Sequence, residues 1–380
     1  MTIRTGFGIL ILCQLASIAG CAAVKPSTPN VRREVPVAVL RSAPPMELPG
    51  AAMPEKNVTG LVDCNNPVHW DGDAMYVFSS VGYADRSEGA DLFSLKGPSV
   101  RTRYDNDADP SIGGRWIEAT FKHESGVLYG WYHNEPPQVC GPHKRLTAPR
   151  IGAAISFDNG LNWKDLGIIL TAPPDSLYCE TPNRYFAGGS GDFSVILDQQ
   201  RRFFYFLIST YNRDVAEQGV AIARMAFADR DHPVGKLFKW CKGAWREPGL
   251  GGHVTPVFPA RSDWHQEKVD VFWGPSIHYN AYLDQYVILM NRAIDTEWTQ
   301  EGIYVIFCPD LSDPNGWATP VKVFDGRGFA PRQNNWWYPQ VIGIDASRKE
   351  TDKLAGRVAR FFIRGKSAWE IVFLRPGEKL

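Results

Sequence analysis

Three things are scarce in this 380-residue chain. It has no excess of charge, since 41 Lys and Arg stand against 41 Asp and Glu. Phosphate binding needs a concentrated basic face, so nucleic acid is not an expected partner. None of its seven cysteines stands in CxxC spacing, which removes the usual zinc site. Long amphipathic stretches of helical period are hard to find. In their place are 13 Trp, 14 Tyr and 20 Phe, with 35 Gly and 28 Pro. That mixture suits many short strands joined by tight turns, so the expected class is all-β.

The clearest apolar run is Phe7 to Leu12, preceded by Arg4 and relaxing into small residues before Cys21. This is the layout of a secretory signal over residues 1–20, too short for a stable membrane span. Its end, Ile18-Ala19-Gly20-Cys21, resembles a bacterial lipobox; the alternative is ordinary signal cleavage with Cys21 incidental. The resemblance implies an exported protein lipidated on Cys21 and anchored in the cell envelope. Ala22, rather than Asp, after that cysteine points to the outer membrane. Residues 21–56 hold Pro26, Pro29, Pro36, Pro44, Pro45, Pro49 and Pro54 and read as an extended linker. The folded domain is then expected over 57–380. Export permits disulfides, and Cys140 with Cys179 is a candidate pair. With Cys64, Cys241 and Cys308 the remaining count is odd, so at least one thiol stays free and buried.

A pattern recurs five times: a polar opening, a short apolar strand, a turn rich in Asp, Gly or Asn, then an aromatic strand. The openings fall at Asp63, Trp116, Gly191, Trp273 and Trp337, and the first turn is Asp71-Gly72. Runs at 152–156, 219–223 and 302–306 read as third strands. Four strands per blade and five blades is the simplest architecture that fits, a five-bladed β-propeller. Strand spacing alone does not exclude a β-sandwich, but the repeated order favours the propeller. Asp71, Asp73, Asp198 and Asp284 read as turn residues. Ser156, Asp158, Gly160 and Trp163 match the Asp-box (SxDxGxxW), expected to be a structural turn whose Trp163 plugs a blade.

In a propeller the innermost strands begin beside one central funnel, so carboxylates at blade openings are the candidates for chemistry: Asp63, Glu118 and Asp192. A glycosidase needs two such groups across the scissile bond. The openings resemble those of family 43 glycoside hydrolases and the arabinanase, invertase and levansucrase propellers, across about Asn57 to Leu374. Asp192-Phe193-Ser194-Val195 is similar to the family's Asp-Pro-Ser-Val, whose Asp tunes the acid's pKa, and the resemblance gives Asp192 that role. Counting back from Asp71-Gly72, the family's general base falls on Asn65, which is no base; Asp63, two residues earlier, lies on the same face of an extended strand. The family's acid belongs to a Glu-Gly-Pro opening that here reads Trp273-Gly274-Pro275, which leaves Glu118, in Glu-Ala-Thr, or His278 as proton donor.

The expected function is glycan hydrolysis, with Asp63 as base or nucleophile, Glu118 as acid and Asp192 as modulator. The alternative is a carbohydrate-binding lipoprotein without turnover, favoured by the departures at Asn65 and Trp273. Asn65, His133, Glu135, Trp273, His278 and Tyr338 are the expected substrate contacts. Trp116, Trp336 and Trp337 are further flat platforms for sugar faces. No cofactor is expected beyond a structural cation in the channel near His278.

Overall fold

The computed structural model describes residues 35–326 and 336–380. The signal segment and Cys21 lie outside the described residues. The rest forms five antiparallel sheets arranged as the blades of a propeller. The first blade runs Val68–Asp71, Ala74–Ser80, Ala84–Gly89 and Lys96–Arg101. The second runs Gly114–Lys122, Leu128–Glu135, Arg150–Ser156 and Asn162–Leu170. The third begins Ser190–Leu197, Phe203–Thr210 and Gly219–Ala226, and continues to an extra outer hairpin. The fourth runs Lys268–Asn280, Gln285–Asp295, Gln300–Cys308 and Val321–Asp325.

The fifth blade corrects the domain boundary. Its inner three strands are Pro339–Gly343, Val358–Ile363 and Lys366–Leu374, but its outermost is Val37–Glu47. Val37 pairs with Leu374 and Glu47 with Lys366, so the proline-rich stretch closes the ring. The expected linker is therefore wrong from Val35 onward. Pro44 and Pro45 misled the reading: an edge strand tolerates proline, and the pairing breaks register between Ser42 and Met46, where they lie. Met46 then packs on the apolar cluster between the first and fifth blades.

Strand formation follows the sequence closely. Phe203–Thr210 is β-branched and aromatic almost throughout, and is buried on both faces because neighbouring blades pack on each side. Apolar cores fill the gaps between adjacent blades, with Phe204, Phe206 and Ile208 toward the second blade and Tyr205 and Leu207 toward the fourth. Each such side chain contributes roughly 1.5–3 kcal/mol by leaving water. At the turn beginning at Ser156, Asp158 accepts from the amides of Leu161 and Asn162, at 3.1 and 2.9 Å. Gly160 takes φ +80°, and Trp163 is buried against Phe78 of the first blade. Cys64, Cys241 and Cys308 are buried free thiols, and Cys140 and Cys179 form a disulfide.

Candidate active site

The five openings converge at one end of the ring, where the second strand of a blade holds the opening of the next. Ser80 Oγ accepts from the Ile117 amide at 3.1 Å, and Ser209 Oγ from the Gly274 amide at 2.9 Å. Asn291 Oδ1 accepts from the Tyr338 amide at 3.0 Å. At the remaining junction of this kind, between the second and third blades, the bracket is His133, whose Nδ1 faces the Asp192 amide at 3.1 Å. These brackets hold backbone that the strands themselves would not: Asp192, Gly274 and Tyr338 take φ of +43°, +58° and +56°. At Asp192 the ladder is bulged between Gly191 and Phe193, which breaks the strand's alternation at that residue.

The result is a small cavity, about 80 Å³ in itself and about 470 Å³ when the open space at its mouth is counted. Asp63, Glu118 and Asp192, from three different blades, all line it, together with His133 and Glu135. Polar atoms of Glu118, His133 and Asp192 lie within 4.8 Å of one another. Glu118 is 1% exposed; its Oε2 accepts from the Phe193 amide at 2.6 Å and its Oε1 lies 3.5 Å from His133 Nδ1. The other imidazole nitrogen, Nε2, is 3.3 Å from Glu135 Oε1. Asp192 accepts from the Tyr211 hydroxyl. Asp63 and Glu135 are the open carboxylates, with side chains 32% and 31% exposed, and Asp63 lies 3.6 Å from Arg364.

Burial dominates the electrostatics. It pushes Glu118 up to about 8, opposed by His133 and assisted by Asp192, which favours the protonated carboxyl. Asp63, although part of its carboxyl reaches water, is set among enough protein atoms that desolvation raises it to about 6, against the pull of Arg364 and with a push from Asp192. Burial likewise lifts Asp192 above the usual carboxylate range, while His133 and the Tyr211 hydroxyl draw it down. Burial opposes charge on His133, but the Glu135 hydrogen bond and the carboxylates of Glu118 and Asp192 outweigh it and hold the ring up at about 9. The Asp192 amide works the other way, because an N–H aimed at Nδ1 requires that lone pair. The cluster therefore titrates as a unit, and with Nδ1 accepting, the ring's proton sits on Nε2 toward Glu135.

Of the residues expected to touch substrate, His133, Glu135, Trp273 and Tyr338 line the cavity. Trp116 and Trp337 also line it, whereas Trp336 packs on Phe324 and Trp369. Asn65 is corrected: it is buried, and its Nδ2 donates to the carbonyls of Phe193 and Pro275 at 3.0 and 2.9 Å. It ties the first blade to the third and fourth and is not among the cavity's lining. His278 is corrected too. It lies further along its strand, 2% exposed, beside Phe373, with a pKa lowered to about 3 by burial and then by Lys353. It is no proton donor to this cavity. Sequence reasoning missed Tyr185, Phe186 and Trp298, which also line the site. Tyr185 and Phe186 come from the connection into the third blade, and Trp298 from the hairpin between the second and third strands of the fourth. Loop residues of this kind leave no period to read.

Glu118, His133 and Asp192 have the chemistry of a metal ligand set, but their lone pairs are largely spent. Nδ1 accepts from the Asp192 amide, one Glu118 oxygen from Phe193, and one Asp192 oxygen from Tyr211. What the arrangement can do is hold a proton on a buried carboxyl facing an aromatic cavity, with an ionisable carboxylate at the mouth.

No protein-family model matches the chain, and no curated protein matches it in sequence. Solved structures are similar in fold. An exo-1,5-α-L-arabinanase from a bovine ruminal metagenomic library aligns at TM-score 0.47 and 13% identity, covering 83% of this chain and 92% of the other. A thermostable family-43 glycoside hydrolase aligns at 0.45 and 11%, covering 81% and 88%. An exo-β-1,3-galactanase from Phanerochaete chrysosporium aligns at 0.45 and 12%, covering 87% and 63%.

Proposed function

We propose that the chain is a glycoside hydrolase working in this cavity, with Asp63 as base, Glu118 as acid and Asp192 as the group that keeps Glu118 protonated. The observation that carries the reading is the meeting of Asp63, Glu118 and Asp192, up to 129 residues apart in sequence, in one aromatic-walled cavity. The roles follow from environment. Glu118 and Asp192 are within 4.8 Å, closer than the roughly 5–9.5 Å that separates the two working carboxyls of glycosidases. They act together on one side of the bond, so the other side falls to Asp63. In hydrolysis the acid protonates the departing oxygen as the C–O bond breaks. A water adds to the sugar carbon, and Asp63 takes the water's proton. The Trp faces would carry the apolar side of the sugar ring.

A second reading is binding without turnover. The observation favouring it is the near-complete burial of Glu118, one of whose oxygens is occupied by a backbone amide. The test is a glycan-hydrolysis screen on the whole chain, compared with Asp192→Asn and Glu118→Gln. Hydrolysis by the wild type that falls at least about 100-fold in Glu118→Gln supports the enzyme. Binding by all three with no turnover in any supports the second reading. The Cys140–Cys179 disulfide supports placing the domain in an oxidising compartment, as export and lipidation at Cys21 would do.

A further inference from the structure

The cavity is rich in hydrogen-bond acceptors and poor in donors. Seven of its twelve lining residues are aromatic, four are carboxylic acids, and the remaining one is His133. Among the described residues that line it there is no lysine, arginine, amide or aliphatic hydroxyl. Most of the ring donors are already spent. Trp273 Nε1 donates to Gln300 at 3.2 Å, and Trp337 Nε1 to the Trp298 carbonyl at 3.0 Å. Trp298 Nε1 is buried out of reach, and His133 Nε2 faces Glu135 at 3.3 Å. The lone pairs are not spent in the same way. Asp63 and Glu135 have side chains about one-third exposed, and the neighbours that act on Asp63 are charges and not hydrogen-bond donors. A sugar hydroxyl both gives and accepts hydrogen bonds, whereas an ammonium only gives them.

Positive charge is short as well. Within the lining only His133 can carry it. Arg364 stands outside the lining, 3.6 Å from Asp63, with its Nε held by the Val62 carbonyl at 3.0 Å. Against these cations, Asp63, Glu118 and Asp192 are all held above the usual carboxylate range, by burial first and then by another carboxylate of the group. A cation brought by a ligand would relieve that crowding. The aromatic residues add a second attraction, because the faces of Trp, Tyr and Phe rings draw an ammonium placed within about 6 Å.

We infer that the glycan taken by this cavity carries free amino groups: an amino sugar sits against the rings with its ammonium on the Glu135 carboxylate. Glu135 is the lining acid to which the proposed hydrolysis gives no task. One of its oxygens faces His133, and the side chain reaches the opening. Seating the ammonium there leaves Asp63 free to act on water. An acidic sugar would bring negative charge into the same crowd and is disfavoured. The inference rests on the carbohydrate reading above but not on turnover, because the same charge preference serves a hydrolase and a binding module.

The test is a calorimetric titration of the whole chain at neutral pH. Oligosaccharides of glucosamine and of galactosamine are used with the amine free and after N-acetylation, which removes the charge and keeps the sugar. Oligosaccharides of glucose and of galactose, with a hydroxyl in place of the amine, complete the two series. In at least one series the free amine should bind about tenfold or more tighter than both counterparts. Equal or tighter binding of the N-acetylated or hydroxyl form in both series overturns the ammonium reading and leaves carbohydrate binding standing. Heat from none of the six overturns it too, and the hydrolysis screen then decides the carbohydrate reading by itself. Glu135→Gln keeps the shape of the side chain and removes its charge. In that variant the free amine should lose about tenfold while its counterparts move by less than about twofold. A folded Glu135→Gln protein that keeps the full preference for the amine overturns the seat assigned to Glu135.

Discussion

Placing an acid at position 65 should damage the protein, although the family resemblance puts the general base there. Asn65 Nδ2 donates to two carbonyls, of Phe193 and Pro275, from an almost fully buried site. Asn65→Asp removes both donors and turns a negative or lone-pair-bearing oxygen toward two acceptors. Each net hydrogen bond is worth roughly 1 kcal/mol, and each buried acceptor left unpaired costs about 1–3 kcal/mol. The expected loss is therefore about 3–5 kcal/mol, of the size seen when a buried charge is stranded. At about 2 °C per kcal/mol for a domain of this size, melting falls by about 6–10 °C. Asn65→Ala should cost less, about 2–4 kcal/mol, because it also deletes the side-chain oxygen, which is buried without a partner. The assay is paired denaturant and thermal unfolding at pH 5 and pH 8. The introduced carboxyl has a raised pKa, so its penalty should grow as pH rises. A variant that melts within a degree of wild type, with hydrolysis gained, would refute the reasoning and return Asn65 to the cavity.

The cluster also makes stability depend on pH. Glu118 is raised from 4.5 to about 8, so it favours the folded state at low pH and loses that contribution as pH climbs through this window. Unfolding free energy of wild type relative to Glu118→Gln should decline between about pH 5 and 8, and a flat or rising difference would contradict the burial argument. Activity, where hydrolysis is found, should be bell-shaped with limbs near 6 for Asp63 and near 8 for Glu118, and Asp192→Asn should lower the upper limb. A chain beginning at Val35 should melt with the full-length protein, whereas one beginning at Asn57 lacks Val37–Glu47 and should lose cooperative unfolding of the fifth blade. His133→Asn should keep near-native stability while His133→Ala loses about 1–3 kcal/mol, as read by denaturant midpoints.

Blade count and inner strands were legible because they repeat. A strand that must fill a gap between two blades is apolar on both faces, and the same composition recurs five times. The ring closure was not legible, since an edge strand needs little burial and Pro44 and Pro45 made Val37–Glu47 look like a spacer. Asp63, Glu118 and Asp192 were singled out by their place near the blade openings, and the structure brings all three to one cavity. Asn65 and His278 were misplaced for one reason: neighbouring residues on these strands differ in depth along the channel, and sequence order does not say which position reaches the cavity. Asn65 stops in a cross-blade bond, and His278 lies five residues beyond Trp273, on the far part of the strand.

The brackets between blades say which of the cluster's residues are there for more than folding. The requirement at each of these four junctions is an acceptor for one backbone amide. Serine meets it at Ser80 and Ser209, and asparagine at Asn291. Histidine at 133 meets it no better, and brings an ionisable ring among Glu118, Asp192 and Glu135. An ionisable group standing where an uncharged acceptor would suffice is explained by a second task. Its two nitrogens face two carboxyls, Glu118 inside and Glu135 at the opening, and asparagine could bracket Asp192 without linking them. His133→Asn therefore separates the tasks. A folded variant whose pH–rate profile or glycan binding is displaced assigns the imidazole to the site's chemistry, whereas one that matches wild type in both leaves His133 a bracket like the others.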